Sequence, residues 1–314
     1  MKPAFFSLSR ARMLEECPRQ FWYTVYGGEN GWWFRNRPPA SPRAEKLYQV
    51  RKTHTTVPVA IGLVAHSVMA WGIRSAAEFP GEMDRGVIRS RLTVRAAREI
   101  SGFVKTAVFI DQEDDPEELL RDGVRSAIMA ATSDDTGWTG DLNGSNLYLR
   151  ALSRPQKIML CDEMVSFVVI SEVYGPVTVW ISPDVVIRGD EPKSAVVIDW
   201  KTGSESLRHH DQIAVYMAWC ATREWSHVKG FVSYLRGERG AEVQRTTASL
   251  QEASRSTADR VDVFMGQLAP RLVGRDLFRN EAVESKFEPT TNPSTCRGCF
   301  FASQCQKDGT KPVG

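Results

Sequence analysis

Asp199 and Lys201 stand two apart at the end of a β-branched run, Ser194-Ala195-Val196-Val197-Ile198, and Thr202-Gly203 then turns the chain. The run reads as a strand buried on both faces, and alternation along a strand sends both polar side chains to the same side. A carboxylate beside an ammonium at a strand exit has two readings. One is a surface ion pair. The other is half of a metal-dependent site for phosphodiester hydrolysis, in which the acid holds a divalent cation and the lysine orients the attacking water or steadies transition-state charge.

Other residues extend the second reading. Asp184 closes the segment Trp180-Ile181-Ser182-Pro183-Asp184 and approaches Asp199 if residues 177–187 pair with 194–199. Two buried carboxylates brought together raise each other's pKa unless a cation lies between them. Oxygen ligands, with the imidazole of His66 and the carbonyl of Trp200, suit magnesium or manganese. Gln212 and Tyr216, four apart in Asp211-Gln212-Ile213-Ala214-Val215-Tyr216, share a helix face. They can brace Lys201 or hold a substrate phosphate. For His66, Gln212 and Tyr216 alike, the competing reading is an ordinary structural side chain.

These groups need elements to position them. Residues 7–26 read as a short helix capped by Ser7 or Ser9 and interrupted at Cys17-Pro18. Helices follow over 59–78, which carries His66, and over 84–105 and 116–131, with an acidic loop from Asp111 to Asp115 and a Gly/Asn/Asp-rich loop over 137–145. A hairpin turning at Tyr174-Gly175-Pro176 joins strands over 165–170 and 177–187. Residues 189–192 turn into the 194–199 strand. Then come a helix over 206–222, a strand over 230–235 and a helix over 249–272. The order points to an α/β core with a helical N-terminal part packed on it. Residues 35–58 carry Arg35, Arg37, Arg43, Lys46, Arg51 and Lys52 among prolines. This stretch reads as an irregular basic segment, either solvated or tracking phosphates. The aromatics Phe21-Trp22-Tyr23 and Trp32-Trp33-Phe34 read as core, with base stacking as the alternative.

Composition sets the bounds. The chain has 314 residues and a net charge of +2, so partners must be judged from local patches. No apolar run approaches a membrane span and no secretory leader is read, so a cytoplasmic protein without membrane contact is expected. No phosphate loop of the form G-x-x-x-x-G-K-[ST] is present, so ATP-driven unwinding would fall to another chain. Six cysteines in such a compartment argue for metal or core thiols over disulfides. Cys296, Cys299 and Cys305, with Cys17 as a fourth ligand, suit zinc or an iron–sulfur cluster. Cys161 and Cys220 read as core.

The landmarks together resemble the RecB-like branch of the PD-(D/E)XK nuclease superfamily. They run from Leu8-Ser9-Arg10-Ala11-Arg12 and Cys17-Pro18-Arg19-Gln20-Phe21-Trp22-Tyr23 through Gly62-Leu63-Val64-Ala65-His66 and Asp184. Ile198-Asp199-Trp200-Lys201-Thr202-Gly203, Gln212-Ile213-Ala214-Val215-Tyr216 and the late cysteines complete the series. The resemblance implies a PD-(D/E)XK core, a central mixed sheet flanked by helices. It divides the chain into an N-terminal helical part over 1–160, a nuclease core over 161–285 and a cysteine tail over 286–314. It implies that His66, Asp184, Asp199 and the Trp200 carbonyl bind Mg2+ or Mn2+, that Lys201 assists the attacking water, and that Gln212 and Tyr216 complete the site. In one place the chain departs from the family pattern: Ile181-Ser182-Pro183-Asp184-Val185 lacks the usual glycine before the first acid and the basic residue after it. The Cas-four family of CRISPR adaptation exonucleases and the nuclease subunit of AddAB-type helicases look similar in their cysteines. By that likeness Cys17, Cys296, Cys299 and Cys305 hold a 4Fe-4S cluster that clips the N-terminal helix to the tail. The expected activity is a metal-dependent DNA exonuclease acting on single strands or ends. The alternatives are a catalytically silent nucleic-acid-binding or scaffold subunit and a structure-selective endonuclease. DNA is the expected partner, with a helicase or another repair, defence or adaptation subunit.

Overall fold

A computed structural model describes residues 5–27, 41–78, 84–111, 115–133, 147–235, 241–273, 281–282 and 284–309. The expected Trp32-Trp33-Phe34 cluster, Arg35, Arg37 and the loop over 137–145 lie outside them. The chain opens with β1 (Phe5–Phe6) and α1 (Leu8–Glu16). Ser7 caps α1, its Oγ accepting the Arg10 N–H at 3.4 Å. Cys17 is extended and Pro18 begins α2 (Pro18–Trp22), since proline is tolerated in a first turn but not in a helix interior. The aromatic triplet behind it, Phe21-Trp22-Tyr23, is buried.

The basic stretch departs from expectation: α3 (Pro42–Thr53) is a regular helix. Ser41 caps it and Pro42 occupies its first turn, so the prolines that suggested irregular chain mark a helix start. After β2 (His54–Thr55) come α4 (Val57–Glu78), α5 (Arg85–Val104), β3 (Val108–Phe109, parallel to β2), α6 (Pro116–Ala131) and α7 (Leu147–Ser153). By length and composition Val57–Ala76 of α4 could cross a bilayer, which corrects the expectation that no run approaches a span. Half of it is buried, and α5, α6 and α7 pack along it, as suits a core helix.

The strands are β4 (Ile158–Cys161), β5 (Val165–Ser171), β6 (Gly175–Ile181), β7 (Val185–Arg188), β8 (Ser194–Lys201), β9 (His227–Leu235) and β10 (Ala241–Thr246). Between β8 and β9 runs α8 (Leu207–Ala221), and α9 (Leu250–Leu268) follows β10. Among the described residues the larger sheet has order β10-β9-β8-β7-β4, with β8 parallel to β9 and the other pairs antiparallel. A second sheet has order β1-β6-β5. The expected continuous strand over 177–187 is therefore two strands in two sheets. Pro183 has no N–H to give to a ladder, and the chain leaves one sheet at Ile181 and enters the other at Val185.

The larger sheet is covered on both faces. Ala195, Val197, Val232 and Tyr234 join a core with α8 and α9 that runs from Phe6 to Cys305, so the first and last elements share it. Ile198, Trp200, Phe231 and Leu235 face the other way, into a core with α4, α5, α6 and α7. Burial on both faces is why β8 reads as a nearly continuous apolar run. Cys161 and Cys220 are buried in these cores, as expected. The chain closes with α10 (Pro293–Arg297) and α11 (Ala302–Lys307).

Candidate active site

The departure from regular strand between β6 and β7 and the exit of β8 lie side by side. Val185 pairs with Ile198, which sets Asp184, the residue before β7, against Asp199 and Trp200 near the end of β8. The Trp200 N–H donates to Asp184 Oδ2 at 2.6 Å. Thus Trp200 meets Asp184 through its amide, while its side chain is buried against Tyr148. Asp199 and Lys201 do share a face: Lys201 Nζ lies 2.5 Å from Asp199 Oδ2. The contact is an ion pair and not a well-angled hydrogen bond, and Asp199 Oδ1 is buried with no hydrogen-bond partner among the described residues.

The fourth group comes from the helical part. α4 passes the turn after β8 at Gly62, where an added Cβ would lie 3.5 Å from Thr202 Oγ1. One helical turn later, His66 Nδ1 reaches Asp184 Oδ1 at 2.9 Å. Both oxygens of Asp184 thus have partners. Two carboxylates face an imidazole and an ammonium, with Asp199 only 1% exposed and Asp184 7%.

The charges respond as burial and neighbours dictate. Burial, reinforced by the charge of Asp184, pushes the Asp199 carboxyl up to about 6 against the pull of Lys201 and His66. Burial raises Asp184 too, but His66, Lys201 and the Trp200 N–H outweigh it and hold this acid below the usual carboxylate range. For His66 burial favours the neutral ring, and the charge and hydrogen bond of Asp184 reverse that, so its pKa rises. Environments that push two neighbouring acids apart are those in which one ionises readily and the other awaits a cation.

Gln212 and Tyr216 come together on α8, but not on Lys201. The Tyr216 hydroxyl donates to the Ser182 carbonyl at 3.1 Å, and Gln212 Nε2 donates to the Tyr216 oxygen at 2.5 Å. Burial, then the charges of Asp199 and Asp184, hold the phenol protonated well above its ordinary range. The pair therefore anchors the residue two before Asp184.

The sequence did not single out two further polar residues at this place. Asp162 follows β4 with φ at 53°, and its N–H donates to the carbonyls of Pro183 (3.2 Å) and Asp184 (3.0 Å). His209 shares a hydrogen bond of 3.1 Å with Tyr234 Oη, and burial, Lys201 and Arg12 push its pKa down to about 4. Only its position beside Asp211-Gln212 could have drawn attention to His209.

Among the described residues, no group of three or more His, Cys, Asp or Glu side chains is arranged to hold a metal ion, the four thiols Cys17, Cys296, Cys299 and Cys305 included; at the acids, His66 and Lys201 engage the carboxylates directly. The donor set nevertheless fits a divalent cation. Asp199 Oδ1 is a buried anionic oxygen without a donor, beside a second carboxylate, which is the local chemistry a hard cation satisfies.

Cys17, Cys296, Cys299 and Cys305 line one small pocket between α2, α10 and α11, with Tyr23 and Phe301. Burial, then the neighbouring thiols, push Cys296 up, and burial pushes Cys299 up to about 11. Around this pocket Glu284 binds Arg19 at 2.7 Å and Arg43 at 2.6 Å, and Asp308 binds Arg43 at 2.7 Å and the Tyr23 hydroxyl at 2.6 Å. The two ends of the chain are thus tied by ion pairs as well as by packing.

No curated protein matches the chain. The family model of the PD-(D/E)XK nuclease superfamily matches residues 6–306. That span reaches from β1 into α11 and takes in both sheets and the paired acids between them, and on it the chain belongs to the PD-(D/E)XK nuclease superfamily.

Proposed function

We propose that the protein is a Mg2+- or Mn2+-dependent deoxyribonuclease that degrades single strands or ends as an exonuclease. The observation that carries this reading is the meeting of Asp184, Asp199 and Lys201 at neighbouring strand ends, with an undonated buried oxygen on Asp199. Asp184, Asp199, His66 and the Trp200 carbonyl would hold the cation. It supplies Lewis acidity toward the phosphodiester.

The chain's own groups do the rest. Lys201 Nζ orients the attacking water and stabilises negative charge as the phosphorus–oxygen bond to the leaving group breaks. His66, hydrogen-bonded to Asp184 Oδ1, fixes that carboxylate from one side, and the Trp200 N–H fixes it from the other. Tyr216 and Gln212 hold the backbone just before it. Burial of both acids excludes bulk water and strengthens each of these interactions. The order of motifs, which resembles the RecB-like branch, supports action on strand ends.

Replacing Lys201 or Asp199 with alanine is expected to lower cleavage of an end-labelled oligonucleotide by about a thousandfold or more, with binding retained. A covalently closed single-stranded circle should survive while its linear form is degraded. Nicking of the circle points to an endonuclease instead, and full activity of the purified variants removes the site.

The four pocket thiols are part of the same proposal: Cys17, Cys296, Cys299 and Cys305 hold a 4Fe-4S cluster. Their shared pocket, fed from both ends of the chain, supports it. Such a protein works in the cytoplasm on DNA. Strands opened by a helicase, or by another subunit of a repair, defence or adaptation complex, would feed it.

A further inference from the structure

α5 carries five arginines, at 85, 89, 91, 95 and 98, against one acid, Glu99. Helix stability does not account for them. Arg85 and Arg89 lie in the first turns, where the helix dipole disfavours positive charge. The i,i+4 pair Arg95–Glu99 has the basic residue first, the weaker orientation.

Three of these arginines, Arg91, Arg95 and Arg98, line a groove of about 430 Å³ between α4, α5 and α7. Its floor includes Ile88 and Leu92, both buried. Trp71 of α4 forms one wall, and the Arg95 guanidinium lies over its ring, 5.7 Å from the centroid, held there by Glu99. A ring and a guanidinium plane are both surfaces on which a nucleobase stacks. Arg91 and Arg98 are exposed on the rim, at the positions a phosphate backbone would follow.

The groove and the site share α4. Trp71 lies five residues beyond His66 on the same helix, about 7.5 Å along its axis at about 1.5 Å per residue. Arg74 sits between them around the helix, donates to the Cys161 carbonyl at 3.2 Å, and acts electrostatically on Asp162 beside the site. Two arginines of the other basic stretch are engaged elsewhere. Arg43 is taken up by Glu284 and Asp308, and Arg51 donates to the Thr24 carbonyl at 3.1 Å.

We propose that this groove binds a segment of single-stranded nucleic acid, with phosphates on Arg91 and Arg98 and a base against the Trp71–Arg95 pair. The proposal rests on the nuclease reading for the identity of the polyanion and deepens it by assigning the path a strand takes to or from the acids. A cleft between helices with an apolar floor admits an unstacked base but not a rigid duplex.

The test uses the full chain carrying Arg91→Ala and Arg98→Ala together, both exposed positions, and a second form carrying Arg91→Glu and Arg98→Glu. Binding of a labelled single strand is measured in EDTA, where cleavage cannot intervene. The expected result is at least fivefold weaker binding for the alanine form and a larger loss for the glutamate form. The log–log salt slope should shrink by about 1.4, two phosphates at roughly 0.7 each. Hydrolysis of the p-nitrophenyl ester of thymidine 5′-phosphate, which spans only the acids, should be unchanged. Unaltered affinity and slope overturn the groove while leaving the nuclease reading intact. Equal losses on a blunt duplex overturn the single-strand assignment. A wild-type chain that hydrolyses neither substrate, with affinity still lost in both variants, overturns the nuclease reading and leaves the groove standing.

Discussion

Asp199 is the residue at which stability and chemistry conflict. Its folded pKa of about 6 lies above the value of about 3.9 for an unfolded aspartate, so the folded state holds this proton more tightly. Ionised Asp199 therefore destabilises the fold at neutral pH, and the cost fades as pH falls from about 6 toward 4. A shift of this size corresponds to about 2 kcal/mol. Asp199→Asn should raise the thermal midpoint by a few degrees at pH 8, with the gain gone near pH 4, as followed by calorimetry in EDTA. A gain that persisted unchanged at pH 4 would contradict this account. Strand alternation announced Asp199 and Lys201, the expected pairing of residues 177–187 with 194–199 announced Asp184, and the family resemblance announced His66. The sequence did not announce that Trp200 serves through its amide, because backbone donors have no residue signature.

At the scale of elements, α8 carries the least obvious duty. The pairing of Gln212 with Tyr216 was legible from their spacing, but their target was not: the Ser182 carbonyl approaches only because β6 and β7 belong to different sheets. Tyr216→Phe removes the donor and leaves that carbonyl without it, which costs about 1 kcal/mol. The larger effect should fall on Asp184, whose backbone loses an anchor two residues away. We expect the Mn2+ concentration for half-maximal cleavage to rise several-fold, with the thermal midpoint little changed; titration of both forms on one substrate checks it. Of the elements that escaped the sequence reading, two did so for identifiable reasons. β10 alternates Ala241 and Val243 with Glu242, Gln244 and Arg245, the weak pattern of a half-solvated edge. α3 was hidden by the prolines and arginines before it, which resemble irregular chain until Ser41 is recognised as a cap.

At the scale of the whole molecule, the cores on the two faces of the large sheet join elements far apart in sequence, and α2 meets α10 and α11 at the thiol pocket. Protein purified without oxygen should contain about four irons per chain with matching sulfide and a visible absorption band, the stoichiometry of a single cluster. Cys305→Ser should lose both and unfold at lower temperature, while zinc alone in the wild-type metal analysis would replace the cluster with a zinc site. The order of elements was largely legible because each obeys its own periodicity; the division into two sheets was not, because a strand run carries no record of which neighbour it pairs with. That division has a consequence for how this chain can vary over descent. Surface connections tolerate added or missing residues, but the joint formed by Ser182, Pro183 and Asp184 is a spacer whose length sets the acid's registry against β8. A lineage that gained or lost one residue there would keep both sheets and lose the facing of its two acids.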